Sequence, residues 1–296
     1  AFPYGAMEHP CASTFGSICN EEPFVIPHEL AHSWTGNDIT NCNWQQFFWN
    51  EGATTFLEYQ ISEKIWDADF ASMIFLSLIK EAKESMEQFE KSNPEFLKLC
   101  VDGTSYAFTT IPYAKGALFF FMLQEAMGRD VFWRFFKDYM TVFFQNTMSE
   151  ERFLAFLAAW LEKEQGLDDF GSFVQKHQIG EWLHGTKLPS NVPKFHSKRV
   201  DAIEKEIEKL TNGKMVDRKK ILGWDITTQG SFLSLLRGKA TKEQVASLDA
   251  QIDYTHASSM VLKGKWIAVC AEVGYLPSEV QALLISHLIK RNSAYG

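Results

Sequence analysis

"VIPHELAHSWTG", residues Val25–Gly36, decides how this chain is read. It sets two histidines four positions apart, with a glutamate directly after the first, in an apolar stretch that suits a helix. On an α-helix that spacing leaves His28 and His32 about 40° apart on one face, so both imidazoles reach a single cation. Glu29 lies one step round the axis, close enough to contact a water on that cation without ligating it. Pro27 lacks an N–H and biases Ile26 towards extended backbone, so it is costly inside a helix and welcome at its start. The expectation is a helix beginning at or next to Pro27. His28 and Glu29 then fall in its first turn and His32 in its second.

A catalytic zinc takes three protein ligands and keeps a fourth position for water, so a third ligand is needed. Glu51, in "WNEGATTFLEY", is the best candidate, with enough chain after His32 to bring a second helix alongside the first. Glu58 follows seven residues later, two helical turns on, and faces nearly the same way. It suits a hydrogen bond to a ligand imidazole; the alternative is a solvated helix carboxylate. Two histidines, one glutamate and an open position favour one Zn2+ per chain over other divalent ions. His9, His177, His184, His196, His256 and His287 lack ligand spacing and read as ordinary surface or core residues.

With 296 residues the chain can bury a large core in one or two domains. Apolar residues at 46% and charged ones at 22% mark an ordinary soluble globular composition. The 25 phenylalanines and 9 tryptophans promise aromatic-rich packing between helices. A net charge of -8, with both signs interspersed, disfavours nucleic acid and an anionic membrane surface as partners. Five scattered cysteines without a C-x-x-C pair indicate neither a disulfide framework nor a thiolate metal site, which fits a cytoplasmic protein. No apolar run reaches the roughly 18 residues of a membrane span.

Pro3, Gly5, Pro10, Gly16 and Pro23 make the first residues extended or looped. Helical patterns follow. "NWQQFFWNEGATTFLEYQISEKIW" reads as amphipathic, "ADFASMIFLSLIKEAKESMEQFEK" as a second long helix, and "IPYAKGALFFFMLQEAMG" stops at Gly128. "SEERFLAFLAAWLEKEQG" opens on Ser149 and stops before Gly166. Around "HGTKLPSNVPKFH" the periodicity lapses, as in an interdomain linker. The chain therefore divides into a first domain over 1–186, a linker over 187–197 and a second over 198–296, built of short helices suited to stacking in pairs.

The stretches "PYGAMEHP", "HELAHSWTGN" and "NEGATTFLEY", in this order, resemble the gluzincin zinc aminopeptidases. "SWTGNDITNCNWQQFFWNEG", "IPYAKG" and "EWLHGTKLPS" are most similar to the branch of leukotriene A(4) hydrolase and aminopeptidase B. The resemblance is close over roughly residues 2 to 190. It implies a mainly α fold: a thermolysin-like catalytic domain with few strands, then an α-helical, solenoid-like domain that is incomplete here. It also implies a fragment lacking the family's N-terminal domain, acting as a monomer on peptides with a free N-terminus. By the same resemblance His28, His32 and Glu51 are zinc ligands and Glu29 is the general base on a zinc-bound water. Glu8 would hold the substrate's α-ammonium, Tyr113 would stabilise the oxyanion, and Gly5, Ala6 and Met7 would line the site as a backbone edge.

Departures from the pattern rank the rival readings. His9 stands where the family has Asn, and "VDGTSYAFTTIPY" lacks the Asp-Pro-Asp run of the leukotriene-processing member, with Phe108 in place of a tyrosine. Epoxide hydrolysis in the same pocket therefore ranks behind peptide hydrolysis. A non-catalytic helical scaffold derived from such an enzyme is a rival reading from another class. Retention of Glu8, Glu29, Tyr113 and all three metal-ligand positions argues against it.

Overall fold

A computed structural model describes residues 5–101 and 109–292, with 17–18 and 287–292 described by their backbone alone. The turn-forming residues at the start leave room for two short strands, β1 (Ala6–Met7) and β2 (Thr14–Phe15). They pair antiparallel, with Ala6 opposite Phe15. A 3-10 turn at Ser17–Asn20 leads into α1 (Val25–Ala31). Helix α1 starts two residues before Pro27 rather than at it, and Ile26 is helical. The first amides of a helix have no intrahelical acceptor, so a proline anywhere in the first turn removes nothing. His32 is the residue that closes this short helix, with φ -57° and its N–H still bonded to the carbonyl of His28 at 3.1 Å.

Strand β3 (Ile39–Asn41) follows, then α2 (Phe48–Ile65) and α3 (Ala68–Ser92). Asp67 starts α3 by accepting the Phe70 N–H at 2.6 Å. Next come α4 (Ile111–Met127), α5 (Arg129–Val142) and β4 (Asn146–Met148), which pairs parallel with β3. Helix α6 (Glu150–Gln165) has the expected ends: Ser149 caps it through the Arg152 N–H, and Gly166 closes it at φ +63°. After α7 (Phe170–Lys176) and α8 (Ile179–His184), residues 185–197 form neither helix nor strand. Six helices complete the chain: α9 (Lys198–Thr211), α10 (Arg218–Leu222), α11 (Ile226–Leu236), α12 (Lys242–Ile252), α13 (Met260–Val273) and α14 (Ser278–Asn292). The fold is mainly helical. No helix among the described residues is long and apolar enough to cross a membrane.

One expectation fails in an informative way. Helix α2 is not amphipathic along its length, because every residue from Phe48 to Phe56 is buried. Helices α1, α3 and α4 surround it, so a two-faced pattern has no water to face. The tightest contact is between α2 and α4. A Cβ on Gly52 would lie 2.6 Å from Gly116 Cα, and one on Gly116 would lie 2.8 Å from Gly52 Cα. The two backbones touch with no side chain between them.

The phenylalanines pack as their abundance promised. Phe56 meets Phe121 and Phe132 at ring separations of 4.8 and 5.3 Å, and Trp49 lies 4.5 Å from Phe153. A second apolar cluster gathers Ile203, Phe232, Leu248 and Trp266 from the later helices together with Phe70 and Met73 of α3. Polar clamps join the early and late segments. Asp69 accepts the Lys198 and Arg199 N–H groups at 2.5 and 3.3 Å, and Arg199 pairs with Asp67 and Asp225. Glu21 caps α13, accepting from the Val261 and Met260 N–H groups at 3.1 and 3.2 Å and from the Ser259 hydroxyl.

Candidate metal centre

Helix α1 lies across the start of α2, and this crossing assembles the site. His28 Nε2 and His32 Nε2 are 3.1 Å apart, and Glu51 Oε2 lies 3.2 Å from the first and 3.3 Å from the second. A tetrahedral zinc with bonds of about 2.0–2.1 Å separates its ligand atoms by about 3.3 Å. The triangle therefore fits such an ion, and its three atoms are a donor set that zinc takes.

Each imidazole is turned by a bond on its far side. His28 Nδ1 donates to Glu58 Oε2 at 2.9 Å, so Glu58 is not a solvated carboxylate. His32 Nδ1 donates to the Thr35 carbonyl at 2.9 Å, and Thr54 Oγ1 lies 3.1 Å from the same nitrogen while donating to that carbonyl. With each Nδ1 held by an acceptor of its own, both Nε2 atoms face the common centre. Gly36 fixes the second ring from behind. At φ +135° it tolerates no side chain, and a Cβ there would stand 2.6 Å from His32 Nδ1.

The electrostatics favour a cation. Burial pushes the Glu51 carboxyl up, but bonds from His28 and His32 outweigh it and hold it at about 2. Burial lowers the basicity of His28, yet Glu51 and Glu58 together raise it well above the ordinary imidazole range. Two carboxylates against two imidazoles in a buried pocket draw positive charge to the centre. Glu29 is buried beside them, and its Oε2 has no hydrogen-bond partner among the described residues. Burial pushes its carboxyl up, His28 and His32 oppose that, and Glu8 and Glu51 add to it.

Glu8 stands on the His32 side, its Oε1 4.0 Å from His32 Nδ1, and it forms a close group with Glu29 and His32. Asn37 Nδ2 holds the Glu8 carbonyl at 2.7 Å. Ala6 and Met7 form β1, and Gly5 just before it accepts the Gly16 N–H at 2.8 Å. Tyr113 sits in the first turn of α4, its ring stacked 6.1 Å from that of His28. Phe108 lies outside the described residues, as does the side chain of His287. Among the described residues, no other histidine joins a group of three possible metal ligands.

Three supports went unread in the sequence. Thr54 and Gly36 belong to "NEGATTF" and "HSWTG", but nothing local says that they meet His32. Lys115 follows Tyr113 closely and is buried, with Nζ donating to the carbonyls of Leu97 at 2.9 Å and Gly185 at 2.6 Å. Burial pulls its pKa down to about 7, where a neutral amine still has the hydrogens for both bonds.

Residues 1–176 match the peptidase family M1 domain. The chain belongs to peptidase family M1. Among M1-type relatives, a leukotriene A-4 hydrolase of Xenopus laevis is 26% identical over 293 residues, 93% of this chain and 47% of that protein. A leucine aminopeptidase 2 of Aspergillus niger is 34% identical over 217 residues, 69% of this chain and 33% of that protein. The chain thus spans between a third and half of the length of the curated relatives it matches. A yeast leukotriene A4 hydrolase bound to bestatin shares its fold, with a TM-score of 0.81 over 92% of this chain and 48% of that one, at 22% identity.

Proposed function

We propose that this M1 chain is a zinc aminopeptidase that removes the N-terminal residue of peptides. The observation that carries the reading is the triangle of His28, His32 and Glu51 with the unpartnered Glu29 oxygen beside it. The aminopeptidase names of several relatives support it. When bound, the zinc supplies a Lewis acid to the peptide carbonyl and makes water more acidic.

The chain's own residues do the rest. Glu29 takes the proton of the attacking water and returns it to the departing amine. The Tyr113 hydroxyl donates to the carbonyl oxygen as charge grows there. Glu8 pairs with the α-ammonium of the first residue, which fixes the cut one residue from the end. Gly5, Ala6 and Met7 lie along the substrate as a backbone edge. We read the working form as a cytoplasmic monomer with a domain boundary in 187–197.

The test is Glu29→Gln with zinc content measured alongside turnover of an aminoacyl-anilide. Zinc is expected to stay and the rate to fall by about 10²–10⁴. A variant that kept zinc and the parental rate would defeat the proposal. Epoxide hydrolysis is the second reading, favoured by the length of the match to a leukotriene hydrolase. Hydrolysis of a fatty-acid epoxide faster than of any anilide would put it first.

A further inference from the structure

A cavity of about 340 Å³ opens beside the triad at His28, Glu58 and Tyr113 and extends to α3, α11 and α13. Phe24, Val25, Ile74 and Leu78 make its walls largely apolar, and its charged groups besides the triad are Glu22, Glu58, Glu81 and Lys265. Most of these charges are already matched. Glu58 serves His28, and Glu22 lies 3.5 Å from Lys265 Nζ, which also lies 3.5 Å from Ser234 Oγ. Glu81 makes no hydrogen bond or ion pair among the described residues. Lys265 and Arg237 attract it from a distance, Glu84 and Glu22 repel it, and Arg237 is itself engaged with Glu84 and Glu272. Burial pushes its carboxyl up, as for an acid short of a counter-charge.

The cavity has a direction relative to the cut. Glu8 stands on the His32 side of the triad, whereas the cavity opens on the His28 side. For a peptide whose ammonium sits at Glu8 and whose first carbonyl sits at the triad, this cavity lies on the opposite side of the triad from the ammonium. We infer that the cavity receives the residue after the scissile bond and that Glu81 selects a cationic side chain there, lysine or arginine. This deepens the aminopeptidase reading and rests on it for the chemistry, though the charge selection is a property of the cavity alone.

The experiment uses the zinc-loaded chain and C-terminally amidated tripeptides, Leu-Lys-Ala against Leu-Glu-Ala, so that no terminal carboxylate competes for Lys265. A charge matched in a half-open, largely apolar site gives about a tenfold preference in kcat/KM for the lysine peptide, expressed in KM. Glu81→Gln brings that ratio close to one, and Lys265→Met raises it. Calorimetric binding of both peptides to zinc-loaded Glu29→Gln protein gives the same order without turnover. Equal affinities, a preference for glutamate, or a Glu81→Gln protein that keeps the full ratio would overturn the inference. Aminoacyl-anilides, which carry no residue beyond the cut, separate the two ideas. Failure to cleave them while the binding order persists sinks the aminopeptidase reading and supports selection by Glu81.

Discussion

Glu58 shows how much a single carboxylate behind a candidate ligand can decide. Its bond to His28 Nδ1 at 2.9 Å holds the ring in the tautomer and orientation that aim Nε2 at Glu51. Removing such a partner costs about 10–100-fold in metal affinity. Glu58→Gln is therefore expected to weaken zinc binding by that factor in a chelator competition, without unfolding the chain. An unchanged affinity would mean that packing alone orients His28. At this scale the sequence was most readable where the geometry is local. The His28–His32 spacing and the seven-residue step from Glu51 to Glu58 both follow from the helical repeat. Thr54 and Gly36 were not readable, because their bearing on His32 depends on where α1 crosses α2.

Between elements, the bare contact of Gly52 with Gly116 sets the distance from the Glu51 carboxylate to Tyr113. Glu51 precedes one glycine directly, and Tyr113 lies less than a turn before the other. A methyl at Gly116 meets backbone at 2.8 Å, which cannot rotate away. Gly116→Ala should lower stability by about 1–3 kcal/mol in urea titrations, as overpacking does. Gly180→Ala is the control: nothing lies within 4 Å of its added methyl, so stability holds or rises slightly. Equal behaviour of the two variants would show that α2 and α4 part easily. The long helices were legible from their periodicity, from the serine before α6 and from the glycines after α4 and α6. What misled was the mixture of aromatic and polar residues in α2, which reads as two-faced although Asn50, Thr54 and Thr55 are all buried. Thr54 donates to the Thr35 carbonyl beside His32 and Asn50 accepts the Asn41 N–H, and polarity with a task inside resembles polarity facing water.

For the molecule entire, the early and late segments are held by charge as well as by apolar packing. Glu21 reaches from the N-terminal stretch to the start of α13. Burial pushes its carboxyl up, but bonds from Ser259, Val261 and Met260 outweigh it and leave it below the ordinary 4.5. A depressed carboxyl gives stability that is complete above that pH and is lost as pH falls through the folded-state value. Glu21→Ala should lower the melting temperature by roughly 2–4 °C at pH 7, and the gap to the parent should close as pH drops below 4.5. A gap that persisted in acid would assign the effect to packing. The cavity beside the triad was invisible in the sequence because its walls come from segments more than two hundred residues apart.

Helix α3 gives Phe75 to the aromatic cluster, Phe70 and Met73 to the later one, and Ala82 to a third with Leu97, Ile111 and Ala114. It is a party wall. Neither house beside it can be pulled down without stripping the plaster from the other, so the early and the late helices of this molecule share one fate.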